Sequence, residues 1–400
     1  MTEQRKKIKN IINYAIENTD YYRKTVDFKY DYKDLKILEK KDLRINKFSI
    51  LSNEHKIIDK FKNLNNIRTS GSTGEITEVF WDNNDLLKSN YTLWKLRYKW
   101  YGIKATDKYV SFSRQIYFGT RIKKPQKIQI FNNNIVFSKF HLTEEDIVEY
   151  VEKMKEFNPK WMLIQPSIII MIMNVLKNKR IKLPSSIVYI ELNGEYVSKT
   201  VEQKIKDFFN VSVANMYGAY EVNTIAYECP YGNMHVLEEN VYVTEENGDC
   251  LVTSLHNYAM PIIKYSVGDK VKLENIKCSC GLTGICINMF HGRSTDYLII
   301  NNQKHSPYFI VFSIEEINML LDSPITQFKI VQKENAKISI YLKVDDSYSG
   351  WNKTIKNELL FSLNNNSPIN DLRYEIIISK DLNNLSGNKY KFFERTYKNE

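Results

Sequence analysis

The sequence lacks several features that would settle its class at once. It has no apolar run long enough to span a bilayer; the longest, Ser167 to Leu176 ("SIIIMIMNVL"), is about half a span. The opening stretch "MTEQRKKIKNIINYAIENTDYYRK" is charged from the start, with no apolar core or small-residue cleavage site, so no export signal is expected. Lys plus Arg number 57 against 47 Asp plus Glu, a formal charge of +10, yet no block of five or six like charges occurs. A dispersed excess of this kind describes a solvated surface, and with no clustered basic–aromatic face no nucleic-acid partner is expected. Cysteine is scarce: five residues, an odd number, all between 229 and 286, which argues against a disulfide framework and for metal binding or packing. No internal repeat or low-complexity tract stands out. These absences leave a globular chain, expected to be cytoplasmic and without membrane insertion.

What is present can fill a large interior: 43% of the 400 residues are apolar and 13% aromatic. That length suits one large domain plus a smaller one. Ile8, Ile11, Ile12 and Ala15 recur at helical spacing, which predicts an amphipathic helix packed on the body. Asn84 to Gly102 also reads as a helix, with Leu87, Tyr91, Trp94 and Tyr98 along one face. Further on, helix and strand patterns alternate. A helix, a short buried strand at Trp161–Ile164 and a second helix are followed by the strand of "SSIVYIELNGE", and then by a helix and strand in "KTVEQKIKDFFNVSVANMYGAYE". Such alternation implies an α/β sheet with helices on its faces, and ligands then sit beyond the carboxyl ends of strands. The loops at Gly194–Glu195 and Tyr217–Glu221 occupy those positions. From Cys229 to about Phe290 the texture turns strand-rich. A tail with its own strand and helix patterns follows, so a boundary is expected near Gly292, dividing 1–291 from 292–400.

The stretch "TSGSTGE", Thr69 to Glu75, has the glycines and hydroxyls that converge on phosphate oxygens. No Lys-Ser/Thr follows its last glycine, which excludes a Walker loop, and taken alone it is a turn between two strands. Its company is more informative. "TSGSTGE", "QPS" (165–167), "NGEYV" (193–197), "MYGAYE" (216–221), "AMPIIKYSVGD" (259–269) and "GRSTDYLI" (292–299) come in a fixed order. That series resembles the adenylate-forming superfamily of acyl-CoA synthetases and adenylation domains, and most of all the phenylacetate–CoA ligase family and its capsule-biosynthesis relatives. The likeness runs from "YAIENTDYYRK" to "LSGNKYKFF". It implies an α/β fold in which a large N-terminal adenylate-forming domain of mixed sheets and flanking helices carries a small mobile α+β C-terminal domain.

The resemblance implies an activity as well. A carboxylic acid would react with ATP to give an acyl-adenylate and pyrophosphate. The acyl group would then pass to CoA, a carrier-protein thiol or another nucleophile. Thr69, Ser70, Gly71, Ser72, Thr73 and Gly74 would cover the β- and γ-phosphates, where donors stabilise the departing charge. Glu221 would hold Mg²⁺, a hard cation suited to carboxylate and phosphate oxygens. Tyr217 and Gly218 would lie on one side of the adenine, and Gly194 and Glu195 would form the opposite wall. Asp269 would accept hydrogen bonds from the ribose, and Arg293 would contact the nucleotide at the domain boundary. Lys389, with Lys391 as second candidate, would reach the α-phosphate. The acid pocket would draw on Phe112–Phe118, Asn193 and Ala214–Gly218, whose aromatic rings favour an aryl or apolar acid. A homodimer is compatible with the same resemblance.

Several positions depart from the family pattern. Tyr220 stands where Ser or Thr is usual, and Lys264 and Ser266 where arginines are common. Thr295, followed by Asp296, occupies the hinge position usually held by Asp, and Asn388 separates a glycine and lysine that are commonly adjacent. These departures keep open an alternative: a catalytically silent relative that binds a nucleotide or a partner. The cysteines add a second question. Cys229, His235, Cys278 and Cys280 offer three thiolates and an imidazole, a donor set for a structural Zn²⁺ in the 229–290 region. Reduced buried cysteines are the other reading, with Cys286 spare and Cys250 in a strand.

Overall fold

The computed structural model describes residues 3–27, 29–70, 76–113, 127–139, 142–194, 199–289, 298–301, 303–305, 307–321, 324–344, 346–367, 369, 372–379 and 393–396. The chain opens with helices α1 (Glu3–Asn18), α2 (Asp20–Thr25), α3 (Lys40–Ile45), α4 (Lys47–Ile50) and α5 (Ile58–Lys62). As the spacing predicts, α1 buries Ile8, Ile11, Ile12, Ala15 and Ile16. An antiparallel hairpin of β1 (Asn65–Ser70) and β2 (Ile76–Trp81) follows. Next comes α6 (Asn83–Tyr101), capped at its start by the Asp82 carboxylate and stopped at its end by Gly102 in the left-handed region, φ 66°.

The main sheet begins with β3 (Tyr109–Ser113), β4 (Ile128–Ile130) and β5 (Asn134–Ser138). Helices then alternate with strands: α7 (Glu144–Phe157), β6 (Trp161–Ile164), α8 (Pro166–Lys179), β7 (Tyr189–Asn193), α9 (Lys199–Phe209) and β8 (Ser212–Ala219). The start of α7 is set by a capping box between Thr143 and Asp146. Strands β5, β3, β6, β7 and β8 run parallel in that spatial order, so their carboxyl ends share one edge. One face of this parallel part packs on α7 and α8 through Ile147, Val151, Met162, Ile164, Ile169 and Ile190, among others. The other face meets α6, where Trp94 and Tyr101 pack with Trp161, Tyr189 and Ala214.

Six further strands, β9 (Asn223–Glu228), β10 (Met234–Val236), β11 (Val241–Glu246), β12 (Asp249–Ser254), β13 (Tyr265–Lys277) and β14 (Thr283–Met289), extend the sheet antiparallel. Among the described residues the order is β11-β12-β13-β14-β10-β9-β8-β7-β6-β3-β5-β4. Cys250 lies in β12, as its setting in the sequence suggests. The C-terminal part has its own elements. A small hairpin of β15 (Leu298–Ile300) and β16 (Gln303–His305) precedes α10 (Tyr308–Leu320), β17 (Ile325–Glu334), β18 (Lys337–Val344), α11 (Asn352–Asn366), β19 (Arg373–Ile378) and β20 (Phe393–Arg395). Its four-stranded sheet, β19-β18-β17-β20, encloses a separate core that includes Ile310, Phe328, Ile340 and Leu359. The expected boundary at Gly292 lies outside the described residues. No helix among the described residues is long and apolar enough to cross a membrane.

Two sequence readings change here. Leu87, Tyr91 and Tyr98 of α6 are exposed, and the buried side of that helix is instead Asp85, Ser89, Leu93, Leu96 and Arg97. Periodicity marked the helix, but the buried guanidinium of Arg97 outweighed the apolar stripe because Glu191 neutralises it at 2.8 Å. Phe112 is buried with Phe137 and Tyr150 on the α7–α8 face, opposite to α6, so it does not line a pocket with Asn193.

Candidate active site

Three of the residues expected at the nucleotide lie where β8, β9 and β13 meet. Glu221 sits in the turn from β8 to β9, with its carboxylate buried. The Tyr265 hydroxyl donates to its Oε1 at 3.0 Å, and the Lys40 ammonium lies 3.1 Å from the same oxygen. The other carboxylate oxygen takes no bond from any described residue. A carboxylate held on one oxygen, with no described residue on the other, fits a hard divalent cation. Lys40 was not singled out from the sequence. The only local signal was the helix start at Glu39–Asp42, whose capping box puts Lys40 in the first turn of α3.

The Tyr217 hydroxyl donates to Asp269 Oδ2 at 2.9 Å. Burial pushes this phenol well above its usual range, with Cys250 and Asp269 alongside adding to the shift, so it remains a donor. Asp269 is only partly buried, which leaves it accessible to a ligand hydroxyl. Gly218 has a structural reason of its own. The β8–β9 register shifts between Tyr217 and Gly218, and a Cβ at Gly218 would come 2.7 Å from the Asn223 carbonyl oxygen. Gly194 follows β7 with φ 76°, a backbone conformation that disfavours any side chain. Beneath this edge Arg97 pairs with Glu191, which also accepts from the Tyr227 hydroxyl at 2.9 Å.

Thr69 and Ser70 end β1, paired with Thr77 and Ile76 of β2, so the loop does join two strands. The hairpin is tied to the body by Glu78, which pairs with Lys47 of α4 and accepts from Arg68 Nε at 3.0 Å. Gly71, Ser72, Thr73, Gly74, Glu195, Arg293, Thr295, Asp296, Lys389 and Lys391 lie outside the described residues. Lys264 has a structural setting: its ammonium donates to the Lys33 carbonyl at 2.7 Å and pairs with Glu246 at 2.8 Å. The Ser266 backbone N–H bonds to Leu38. Tyr220 is 66% exposed.

The cysteine cluster assembles across the long sequence gap. One donor atom from each of Cys229, His235, Cys278 and Cys280 lies within 4.8 Å of all the others. Cys229 Sγ is 3.7 Å from Cys278 Sγ, and Cys280 Sγ is 3.3 Å from His235 Nε2. A tetrahedron with Zn–S bonds of about 2.3 Å has edges of about 3.8 Å, so the donors are spaced for such an ion. Two turns of the same build present them. The Cys229 N–H bonds to the Asn233 carbonyl and the Cys278 N–H to the Leu282 carbonyl, and each turn has a left-handed glycine three residues on, Gly232 and Gly281. Burial opposes ionisation of Cys278. The Cys280 N–H and the Asn233 amide both donate to its sulfur, however, and bring the thiol below its usual range. Burial lowers the His235 pKa, which favours the neutral, ligating imidazole. Cys286, the spare cysteine, faces His235 Nδ1 at 3.3 Å and leaves Nε2 to the cluster.

No family model matches the chain. Protein CapK of Staphylococcus aureus is 23% identical over 388 residues, which cover 91% of this chain and 83% of CapK. Phenylacetate-coenzyme A ligase of Thermus thermophilus is 25% identical over 179 residues, 40% of this chain and 39% of that ligase. Among solved structures, a 2-hydroxyisobutyryl-CoA ligase in complex with 2-HIB-AMP and CoA aligns over 98% of this chain and 88% of its own. The TM-score is 0.61 at 13% identity. The chain has the two-part α/β fold of adenylate-forming ligases, and its sequence resembles CapK and phenylacetate-coenzyme A ligase, as its motif series implies.

Proposed function

We propose that this chain, with its adenylate-forming fold, is a ligase that activates a carboxylic acid with ATP, forming an acyl-adenylate and releasing pyrophosphate. The acyl group then passes to CoA; a carrier-protein thiol is the other acceptor of the same chemistry. The observation that supports this most is the one-sided Glu221 carboxylate beside Lys40, together with Tyr217 and Asp269 at the same junction of strands.

In this reading Asp269 accepts from the ribose, held in orientation by the Tyr217 hydroxyl, while the Tyr217 ring lies against the adenine. Glu221 offers its open oxygen to Mg²⁺, which when bound neutralises charge on the β- and γ-phosphates. The Lys40 ammonium pairs with that carboxylate on its other oxygen. The loop from Thr69 to Gly74 covers the departing phosphates, and Lys389 reaches the α-phosphate. The acid carboxylate attacks the α-phosphorus, the bond to the pyrophosphate oxygen breaks, and the negative charge leaves with pyrophosphate. Cys229, His235, Cys278 and Cys280 would hold a structural Zn²⁺ that fixes the two turns of the strand-rich region. Acid-dependent exchange of labelled pyrophosphate into ATP tests the first half-reaction. A panel of aryl, aliphatic and hydroxy acids should give exchange with at least one member; silence across the panel with ATP still bound would favour a silent relative.

A further inference from the structure

We infer that Gln165 and Asn193 select the acid, and that this site takes carboxylic acids bearing a neutral hydrogen-bond donor, a hydroxyl or an aromatic amine, in preference to plain apolar or aryl acids. The inference rests on the adenylation reading above.

Gln165 follows the last residue of β6, and Asn193 is the last residue of β7, the neighbouring parallel strand. Both therefore stand on the edge where a sheet of this kind binds its ligand. Side chains alternate along a strand, so Gln165 shares a face with Trp161 and Leu163, and Asn193 shares one with Tyr189 and Glu191. Trp161 and Tyr189 pack together, with Leu163 against them, so the two amides belong to one face of the sheet. The amide of Gln165 lies against Gly194: its Cγ and Nε2 are each 3.8 Å from where a Cβ at that glycine would be.

Both amide oxygens, Gln165 Oε1 and Asn193 Oδ1, are buried without a hydrogen-bond partner among the described residues. Gln165 is also the N-cap residue of α8, where a side-chain bond to the helix would be the ordinary use of a polar group, and it makes none. Buried acceptors without donors are costly and uncommon in folded proteins. Two of them on adjacent strand ends, beside the glycine that turns the chain at this edge, fit a ligand that donates to them. Glu191, a buried carboxylate on this face, is already matched by Arg97, which favours a neutral donor. A substrate ammonium would bring a charge that Glu191, already paired, does not balance. With Phe112 on the opposite face, the aromatic argument for an apolar acid loses one of its residues.

The test is pyrophosphate exchange with matched pairs: benzoate against 3- and 4-hydroxybenzoate and 4-aminobenzoate, butyrate against 3-hydroxybutyrate, and β-alanine for the ammonium. At least one donor-bearing acid should exceed its parent by about 10,000-fold in kcat/KM, the scale on which sites built for a hydroxyl reject analogues without one. Gln165→Met and Asn193→Leu should each shrink that ratio while the KM for ATP moves by less than about twofold. A second readout needs no turnover: Gln165→Met removes an orphaned acceptor, so the ligand-free melting temperature should rise. Parent acids that react as fast as their hydroxylated partners, or a ratio that survives in both variants, would overturn the inference and leave adenylation standing. Exchange with no acid of any kind would instead overturn the adenylation reading.

Discussion

At the scale of single residues, the account depends on Glu221 and Asp269 having different tasks. Glu221→Gln keeps the shape and the Tyr265 bond but removes the charge a divalent ion needs. Pyrophosphate exchange should fall on the order of 100-fold at saturating ATP, since a bound metal contributes several kcal/mol to phosphoryl chemistry. Asp269→Ala should act mainly on the KM for ATP, raising it about tenfold or more through lost charge-assisted bonds to the ribose. Tyr217→Phe should fall between wild type and Asp269→Ala, because the ring stays while the bond that orients Asp269 goes. Equal losses in Tyr217→Phe and Asp269→Ala would contradict this division. Glu221, Asp269 and Tyr217 were legible in the sequence because each sits inside a short motif. Lys40 was not: its partner is 181 positions away (221 − 40), and nothing local distinguishes it from the adjacent Lys41. Lys264 shows how the fold explains a departure from the family pattern. It stands where the resembled family commonly has an arginine, and the fold commits it to Lys33 and Glu246.

At the scale of elements, the two cysteine turns carry a prediction of their own. The protein should bind one equivalent of zinc, and chelation or Cys278→Ser should lower the melting temperature by several degrees, consistent with a site that couples to folding. Cys286→Ser should be milder, weakening zinc by about 10- to 100-fold, because Cys286 touches His235 Nδ1 and not the ion. Metal analysis of the purified protein, followed by melting with and without chelator, reads both effects. A protein that holds no zinc when purified under reducing conditions would leave the cluster as packed thiols. The donor residues could be named from composition and family likeness, but the matched turns could not. The sequence shares only a cysteine and a glycine at the same spacing, and the closing bonds come from Asn233 and Leu282. Periodicity found α6 and the Trp161–Ile164 strand correctly, since both are strong local signals. It misjudged which side of α6 faces inward because a paired, stacked arginine can be buried as fully as leucine. Arg97 lies 4.4 Å over Trp94 while bonded to Glu191.

At the scale of the whole molecule, the fold was the most legible property, because the order of motifs constrains it more tightly than any one of them. A large sheet with a shared carboxyl edge and a separate C-terminal core give the chemistry two parts to work with. The central claim is that ATP is split between its α- and β-phosphates, with the acid captured as an adenylate. The most direct measurement is product analysis of a single turnover: enzyme in excess over ATP, Mg²⁺ and a responding acid, without CoA, resolved by mass spectrometry. The account predicts acyl-AMP on the enzyme and pyrophosphate in solution in equal amounts, with the acyl-AMP converted to AMP and acyl-CoA when CoA is added. Formation of ADP and inorganic phosphate, or recovery of intact ATP with every acid tried, would contradict it.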